Sequence, residues 1–168
     1  MEQHDCQEVL FAETAAEKEG LWKLRRRVGE AVKSNSVYKE EDTVVPRHAL
    51  PDLLAKVKEV GARYGFKSVC YGHAGDGNLH VNIIKGDLAD TVWQHDLPKA
   101  IREIFTYTVS LGGTLSGEHG IGLVQRPYMD IAFNPVQLDL MRRIKNSFDP
   151  QGIMQSVALS PSGYVMPA

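Results

Sequence analysis

Two histidines flanking a tight turn, and a Glu-His pair inside a glycine-rich stretch, are the residues of this chain best suited to chemistry. The turn lies in Tyr71-Gly-His-Ala-Gly-Asp-Gly-Asn-Leu-His80. Asp76-Gly77 favours a two-residue type I′ hairpin, because both central residues of that turn need φ > 0. This reading pairs Gly75 with Asn78 and sets His73 directly opposite His80, with Cβ atoms roughly 5 Å apart. Asn82 shares that face, opposite Tyr71. Cys70, Ala74, Leu79, Val81 and Ile83 fall on the other face and read as core. Two imidazoles on one sheet face, joined by Glu118, make a His₂Glu set that zinc, manganese or iron accepts with positions left open for water or substrate. Successive loop residues diverge, which leaves His119 as a base beside the ion. A histidine is ordinarily a surface or satisfied core residue, and His4, His48 and His95 are read so. Asp76 is read as the turn residue.

These groups must be positioned by the elements around them. Gln7–Ala12 reads as a short strand. Thr14-Ala-Ala-Glu17 is a capping box, opening a helix with Leu21, Leu24, Val28 and Val32 on one stripe. Arg25, Arg26 and Arg27 fan around that helix, so they cannot share one role. Val37–Val45 reads as a strand ended by Pro46. Pro51 suits the first turn of a helix carrying Leu53, Leu54, Val57 and Val60, and Gly65 caps it. After the hairpin, a helix starts near Pro98, carries Ile101, Ile104 and Phe105, and ends at Gly112-Gly113. Trp22, Trp93 and Tyr107 read as core or interface residues. Gly112–Gly122 holds five glycines in eleven residues; such a loop exists where backbone must bend tightly or let something approach. Asn134-Pro135 opens a last helix with Leu138, Met141 and Ile144, ending before Asp149-Pro150. The tail from Gln155 reads as poorly ordered. Hairpins mixed with helices predict an α+β fold: a ferredoxin-like antiparallel sheet with helices packed on one face. Residues 1–36 form an N-terminal strand and helix, 37–133 the metal- and substrate-binding subdomain, and 134–168 a C-terminal helix and tail.

Composition narrows the classes. The chain has 168 residues, 43% of them hydrophobic and 24% charged, with a net charge of −2. That charge does not favour nucleic acid or an anionic membrane surface. Cys6 and Cys70 form neither a CxxC pair nor a disulfide framework, which fits a reducing compartment. No window holds the ~18 apolar residues of a spanning helix, and the N-terminus lacks a signal-peptide core. A cytoplasmic protein is expected. Without a Walker loop, a GxGxxG or a GxSxG elbow, any nucleotide or flavin must be held mainly outside this chain.

Five segments occur together and in order: Leu21-Trp-Lys-Leu-Arg25, Val37-Tyr-Lys-Glu-Glu-Asp42, Gly72-His-x-Gly-Asp-Gly-Asn-Leu-His80, Ser116-Gly-Glu-His-Gly-Ile-Gly122 and Ile144-Lys-x-x-Phe-Asp-Pro150. Together they resemble the C-terminal (cap) domain of FAD-linked oxidases of the vanillyl-alcohol-oxidase type, near glycolate oxidase, D-lactate dehydrogenase and D-2-hydroxyglutarate dehydrogenase. The resemblance implies that His73, His80 and Glu118 bind a divalent metal holding the carboxylate and 2-hydroxyl of a D-2-hydroxy acid. It implies His119 as the base that removes the hydroxyl proton while hydride passes to FAD. Arg25 and Lys39 would pair with the substrate carboxylate, and Asn82 would hydrogen-bond the substrate. Gly29 stands where relatives taking dicarboxylates have a side-chain donor, which favours glycolate or D-lactate. The implied partners are a flavin-binding domain or subunit and an iron–sulfur electron-transfer protein, with a location in the cytoplasm or at the inner membrane through partners. After Met154 the chain reads Gln-Ser-Val-Ala where the family has Asn-Pro-Gly-Lys, a segment that returns toward the flavin domain.

Three functions compete. The first is the substrate- and metal-binding half of a flavin-dependent D-2-hydroxy-acid dehydrogenase or oxidase, inactive alone. The second is a truncated, non-catalytic module that binds metal or carboxylate. The third, a metal hydrolase with His119 as base, lacks a separate substrate pocket in the sequence.

Overall fold

The computed structural model describes residues 11–154. The chain divides into two compact units, residues 1–36 and 37–168. Most of the expected strand at Gln7–Ala12 and the expected loose tail from Gln155 lie outside the described residues.

The first unit contains α1, Ala15–Asn35. Thr14 accepts from the Glu17 N–H, and the Glu17 side chain accepts from the Thr14 N–H, so the capping box forms in full. Arg26 pairs with Glu19, and the Arg25 guanidinium lies 5.4 Å from the centre of the Trp22 ring.

The second unit runs β1 (Tyr38–Val44), α2 (Leu50–Tyr64), β2 (Lys67–His73), β3 (Asn78–Ile84), α3 (Leu97–Ser110), α4 (Met129–Ala132) and α5 (Pro135–Phe148). The three strands are antiparallel in the order β1-β3-β2. This is the strand–helix–hairpin–helix part of a ferredoxin-like arrangement. A single antiparallel bridge follows on the far edge of β1, where Thr114 exchanges both backbone hydrogen bonds with Val44. Gly65 ends α2 in the left-handed region at φ 79°. Asn134 and Gln137 cap α5 reciprocally. The apolar stripe Val136, Leu140, Ile144 and Phe148 of that helix is exposed.

Parity along the strands divides the sheet into two unlike faces. Val81 and Ile83 pack against Leu53, Val57 and Val60 of α2 and Ile101, Ile104 and Phe105 of α3, all of them buried. Each such side chain stabilises the fold by about 1.5–3 kcal/mol. The opposite face carries Glu40, Asp42, Asn78, His80, Asn82, Tyr71 and His73, since Glu40 pairs with Asn82, Asp42 with His80, and Tyr71 with His80 across the ladder.

The hairpin register differs from the expectation by two residues. His73 pairs with Asn78 and Tyr71 with His80, so Ala74–Gly77 form a four-residue loop. An Asp-Gly turn is a local preference, and here distant bonds outweigh it. Val45 donates its N–H to the Gly77 carbonyl, and the Asn78 amide donates to Asp42 and to the Thr43 carbonyl. Gly77 sits at φ 75°, and a Cβ there would meet the Val45 oxygen at 2.0 Å. A two-residue slip preserves parity, so both histidines stay on one face, as diagonal rather than direct neighbours.

A fully buried carboxyl lies on the apolar side. Glu41 pairs with Val81, is fully buried, and neither carboxylate oxygen accepts a hydrogen bond among the described residues. Burial pushes its pKa up to about 7, against the opposing pull of the Lys39 ammonium 3.7 Å away. The folded state therefore holds the Glu41 proton more tightly than the unfolded chain. Its contribution is fully present below the ordinary carboxyl pKa and is lost as pH rises through about 7. Glu41→Gln is expected to raise Tm at pH 8 and change it little at pH 4. The difference between the two conditions is on the order of 3 kcal/mol, read by calorimetry or denaturant titration.

Candidate metal centre

The glycine-rich segment owes its place to Asp42. One oxygen of that carboxylate, Oδ2, accepts the N–H groups of Gly117 at 2.9 Å, Glu118 at 2.8 Å and His119 at 2.9 Å, and the Ser116 hydroxyl at 3.0 Å. The other, Oδ1, accepts from the Asn78 amide at 2.6 Å. Three consecutive N–H groups wrapped around one anion form a backbone nest, filled here by a side chain of the same protein. Burial alone would raise the Asp42 pKa; the His119 and Glu118 N–H groups, with Asn78 and Ser116, outweigh it and hold the carboxyl at about 2. Gly117 allows the close approach, since a Cβ there would lie 2.1 Å from the Asn78 amide nitrogen. Gln125 donates to the Asp42 carbonyl at 3.1 Å and ties down the far end of the loop.

With the loop so held, Glu118 and His119 both turn to His80. Glu118 Oε1 lies 3.0 Å from His80 Nε2 and 3.6 Å from His73 Nε2. The two imidazoles meet edge to face, with ring centres 6.0 Å apart and planes at 76°. His119 does not point away as expected. It stacks on the His80 ring at 4.8 Å and 29°, and its Nε2 lies 3.8 Å from Glu118 Oε1. Around His80 stand two more carboxylates, Glu40 Oε1 at 3.4 Å and Asp42 Oδ1 at 3.9 Å from Nδ1.

Among the described residues two groups of three donors are close enough to share an ion: His73, His80 and Glu118, and Glu40, His80 and His119. Bond directions separate them. A tetrahedral ion at ~2.1 Å holds its ligand atoms roughly 3.4 Å apart, close to the two distances at Glu118 Oε1. Imidazole lone pairs lie in the ring plane, so the crossed rings of His73 and His80 can converge on one point. The stacked rings of His80 and His119 direct their lone pairs side by side, and a common ion would require one ring to turn. The residues of the first group fit a divalent metal. His80 is 6% exposed, whereas Glu118 is 51% exposed and leaves an open side.

Other sequence-derived candidates fall in different places. Asn82 lies on the site face, fully buried, and neither of its amide atoms has a hydrogen-bond partner among the described residues. Lys39 is not brought to the cluster: it pairs with Ile83 on the helix-covered face, beside Glu41. Glu40 takes the site-facing position next to it. Arg25 belongs to the first unit, on α1. Sequence reasoning passed over Glu40, Asp42 and Asn78. The available signal was Lys39-Glu-Glu-Asp42 inside a strand, where charged residues at alternate positions must share a face. A cleft of about 280 Å³ opens beside the centre, lined among others by Glu40, His119, Ile121, Leu123 and Val124.

The sequence is similar to those of known proteins. Residues 1–157 match the family described as FAD linked oxidases, C-terminal domain. The chain is 33% identical over 148 residues to a D-lactate dehydrogenase of Anaerostipes hadrus, covering 88% of this chain and 31% of the relative. It is 32% identical to the glycolate oxidase subunit GlcD of Bacillus subtilis over 88% of this chain and 30% of that one. It is also 32% identical to a D-2-hydroxyglutarate dehydrogenase of Stutzerimonas stutzeri, over 86% of this chain and 32% of that protein. The chain thus spans about a third of the length of these relatives.

Asp42→Ala is expected to release the loop and to destabilise the fold by about 2 kcal/mol, because partly buried N–H groups lose a charged acceptor. Asp42 contributes stability above its ordinary pKa, and that contribution is lost as pH falls through about 2. Hydrogen exchange at the Gly117, Glu118 and His119 amides measures the release directly.

Proposed function

Because the chain belongs to the FAD-linked oxidases, as their C-terminal domain, we propose that it is the substrate- and metal-binding part of a flavin-dependent D-2-hydroxy-acid oxidoreductase of the glycolate or D-lactate type. The observation that carries this reading is the convergence of Glu118 Oε1 on His80 Nε2 and His73 Nε2 at 3.0 and 3.6 Å. In it, His73, His80 and Glu118 hold zinc, manganese or iron. The bound ion supplies a fixed positive charge that anchors the substrate carboxylate and 2-hydroxyl and makes the hydroxyl proton easier to remove. His119 takes that proton at Nε2, the nitrogen nearer Glu118. The Cα hydrogen would leave with the electron pair of its bond, as hydride, to a flavin held by another domain or subunit, giving a 2-oxo acid. Asn82 hydrogen-bonds the substrate through an amide that has no other partner among the described residues. Lys39 is not part of this set. Among the described residues no helix is long and apolar enough to cross a membrane.

The purified chain should bind Zn²⁺ or Mn²⁺ with a stoichiometry of one by calorimetry. The substitutions His80→Ala and Glu118→Gln should each lower affinity by at least tenfold. His119→Ala should leave metal affinity within about twofold and should abolish 2-hydroxy-acid oxidation when the flavin-binding partner is supplied. Wild-type chain that takes up no metal would overturn the reading. Loss of metal in His119→Ala with retention in Glu118→Gln would exchange the roles of those two residues.

A further inference from the structure

Glu40 stands at the one side of His80 that the metal reading does not use. The His80 Nδ1 atom is buried and makes no hydrogen bond among the described residues. Two carboxylates lie near it, and one is already engaged. Asp42 accepts four donors on Oδ2 and the Asn78 amide on Oδ1. Its nearer oxygen is also farther from Nδ1, at 3.9 Å against 3.4 Å for Glu40 Oε1. The Glu40 side chain is 21% exposed, so a small rotation suffices to close the gap. The ladder sets this approach. Glu40 pairs with Asn82, two residues beyond His80 on β3, and shares its face.

We propose that Glu40 is the positioning residue of this centre: its carboxylate accepts a hydrogen bond from the Nδ1–H of His80 and so leaves the Nε2 lone pair bare toward Glu118 and His73. The inference rests on the metal reading of His73, His80 and Glu118. A neutral imidazole carries one N–H and one lone pair, and the partner of one nitrogen decides which. Nδ1 has the Glu40 and Asp42 carboxylates beside it, whereas Nε2 faces His73 and Glu118, the donors that would share the ion, so the proton belongs on Nδ1. A carboxylate behind a ligating imidazole also fixes the ring and raises its basicity. The same placement accounts for a glutamate at a half-buried position facing two other acids, Asp42 and Glu118, a combination that repels without a cation or proton between them. His119, stacked on the ring face, holds the plane from above while Glu40 holds its edge.

The test uses the whole chain, with Zn²⁺ and Co²⁺ as probes and the variants Glu40→Ala and Glu40→Gln. In a long-range ¹H–¹⁵N spectrum, metal-free wild type should show His80 as the Nδ1–H tautomer. Glu40→Ala should lose that preference and bind metal 10- to 100-fold more weakly, the range found when such outer carboxylates are removed. Glu40→Gln keeps an acceptor oxygen and should recover the tautomer and most of the affinity. An unchanged tautomer and affinity in Glu40→Ala would overturn the proposal, as would a Glu40→Gln variant no better than Glu40→Ala. Failure of the wild-type chain to bind either metal would instead overturn the metal reading, and the tautomer comparison would still decide whether Glu40 orients His80.

Discussion

Everything at the centre depends on the carboxylate of Asp42. A buried ion survives in a protein only when its lone pairs are satisfied, and Asp42 meets that condition with groups from two separate segments. Asn78 comes from the turn end of β3, and Ser116, Gly117, Glu118 and His119 come from the loop after α3. A glycine-rich loop has more conformational freedom to lose than any other stretch of its length. Here three of its backbone N–H groups are collected by one oxygen, which leaves the loop a single course. Glu118 and His119 reach His80 because their own N–H groups are anchored directly across the strand from it.

The sheet separates two environments that would not tolerate one another. Its helix-covered side holds Val81, Ile83 and the side chains of α2 and α3, with Glu41 as a buried carboxyl whose pKa burial raises to about 7. Its other side gathers Glu40, Asp42, His80, Asn82 and His73. Several of their polar atoms are buried without partners among the described residues, including His80 Nδ1 and both amide atoms of Asn82. Such atoms are uncommon in native structures, and each costs about 1–3 kcal/mol. Those on the site face belong to Asn78, His80 and Asn82, on the side of the sheet away from the packed core.

The division of labour within the family follows from the same arrangement. The residues of this chain can hold an ion, anchor a carboxylate and take a proton. None of the described groups accepts an electron pair. The similarity to D-lactate dehydrogenase, glycolate oxidase and D-2-hydroxyglutarate dehydrogenase covers about a third of those proteins, the third to which the family's C-terminal domain corresponds.

Much of this was legible from residue order alone, where the deciding physics is local. Thr14 with Glu17, Asn134 ahead of Pro135, and Gly65 mark helix ends because a cap is made within four residues of the end it closes. His73 and His80 share a face because strand parity survives even a two-residue error in the turn. Register did not follow, since the hairpin slides until Gly77 and Asn78 meet Val45, Asp42 and Thr43, partners more than thirty residues away. The same non-local fact moves Lys39 to the core side and brings Glu40 to the site. It also turns His119 back onto His80, where divergence of neighbouring side chains had suggested otherwise. The sequence by itself determined which chemistry was available, a pair of imidazoles with a carboxylate and a base in a flexible loop. Only the tertiary structure decided which carboxylate binds the loop, which faces the ring and which is buried, because those choices depend on how three distant segments satisfy one another's hydrogen bonds.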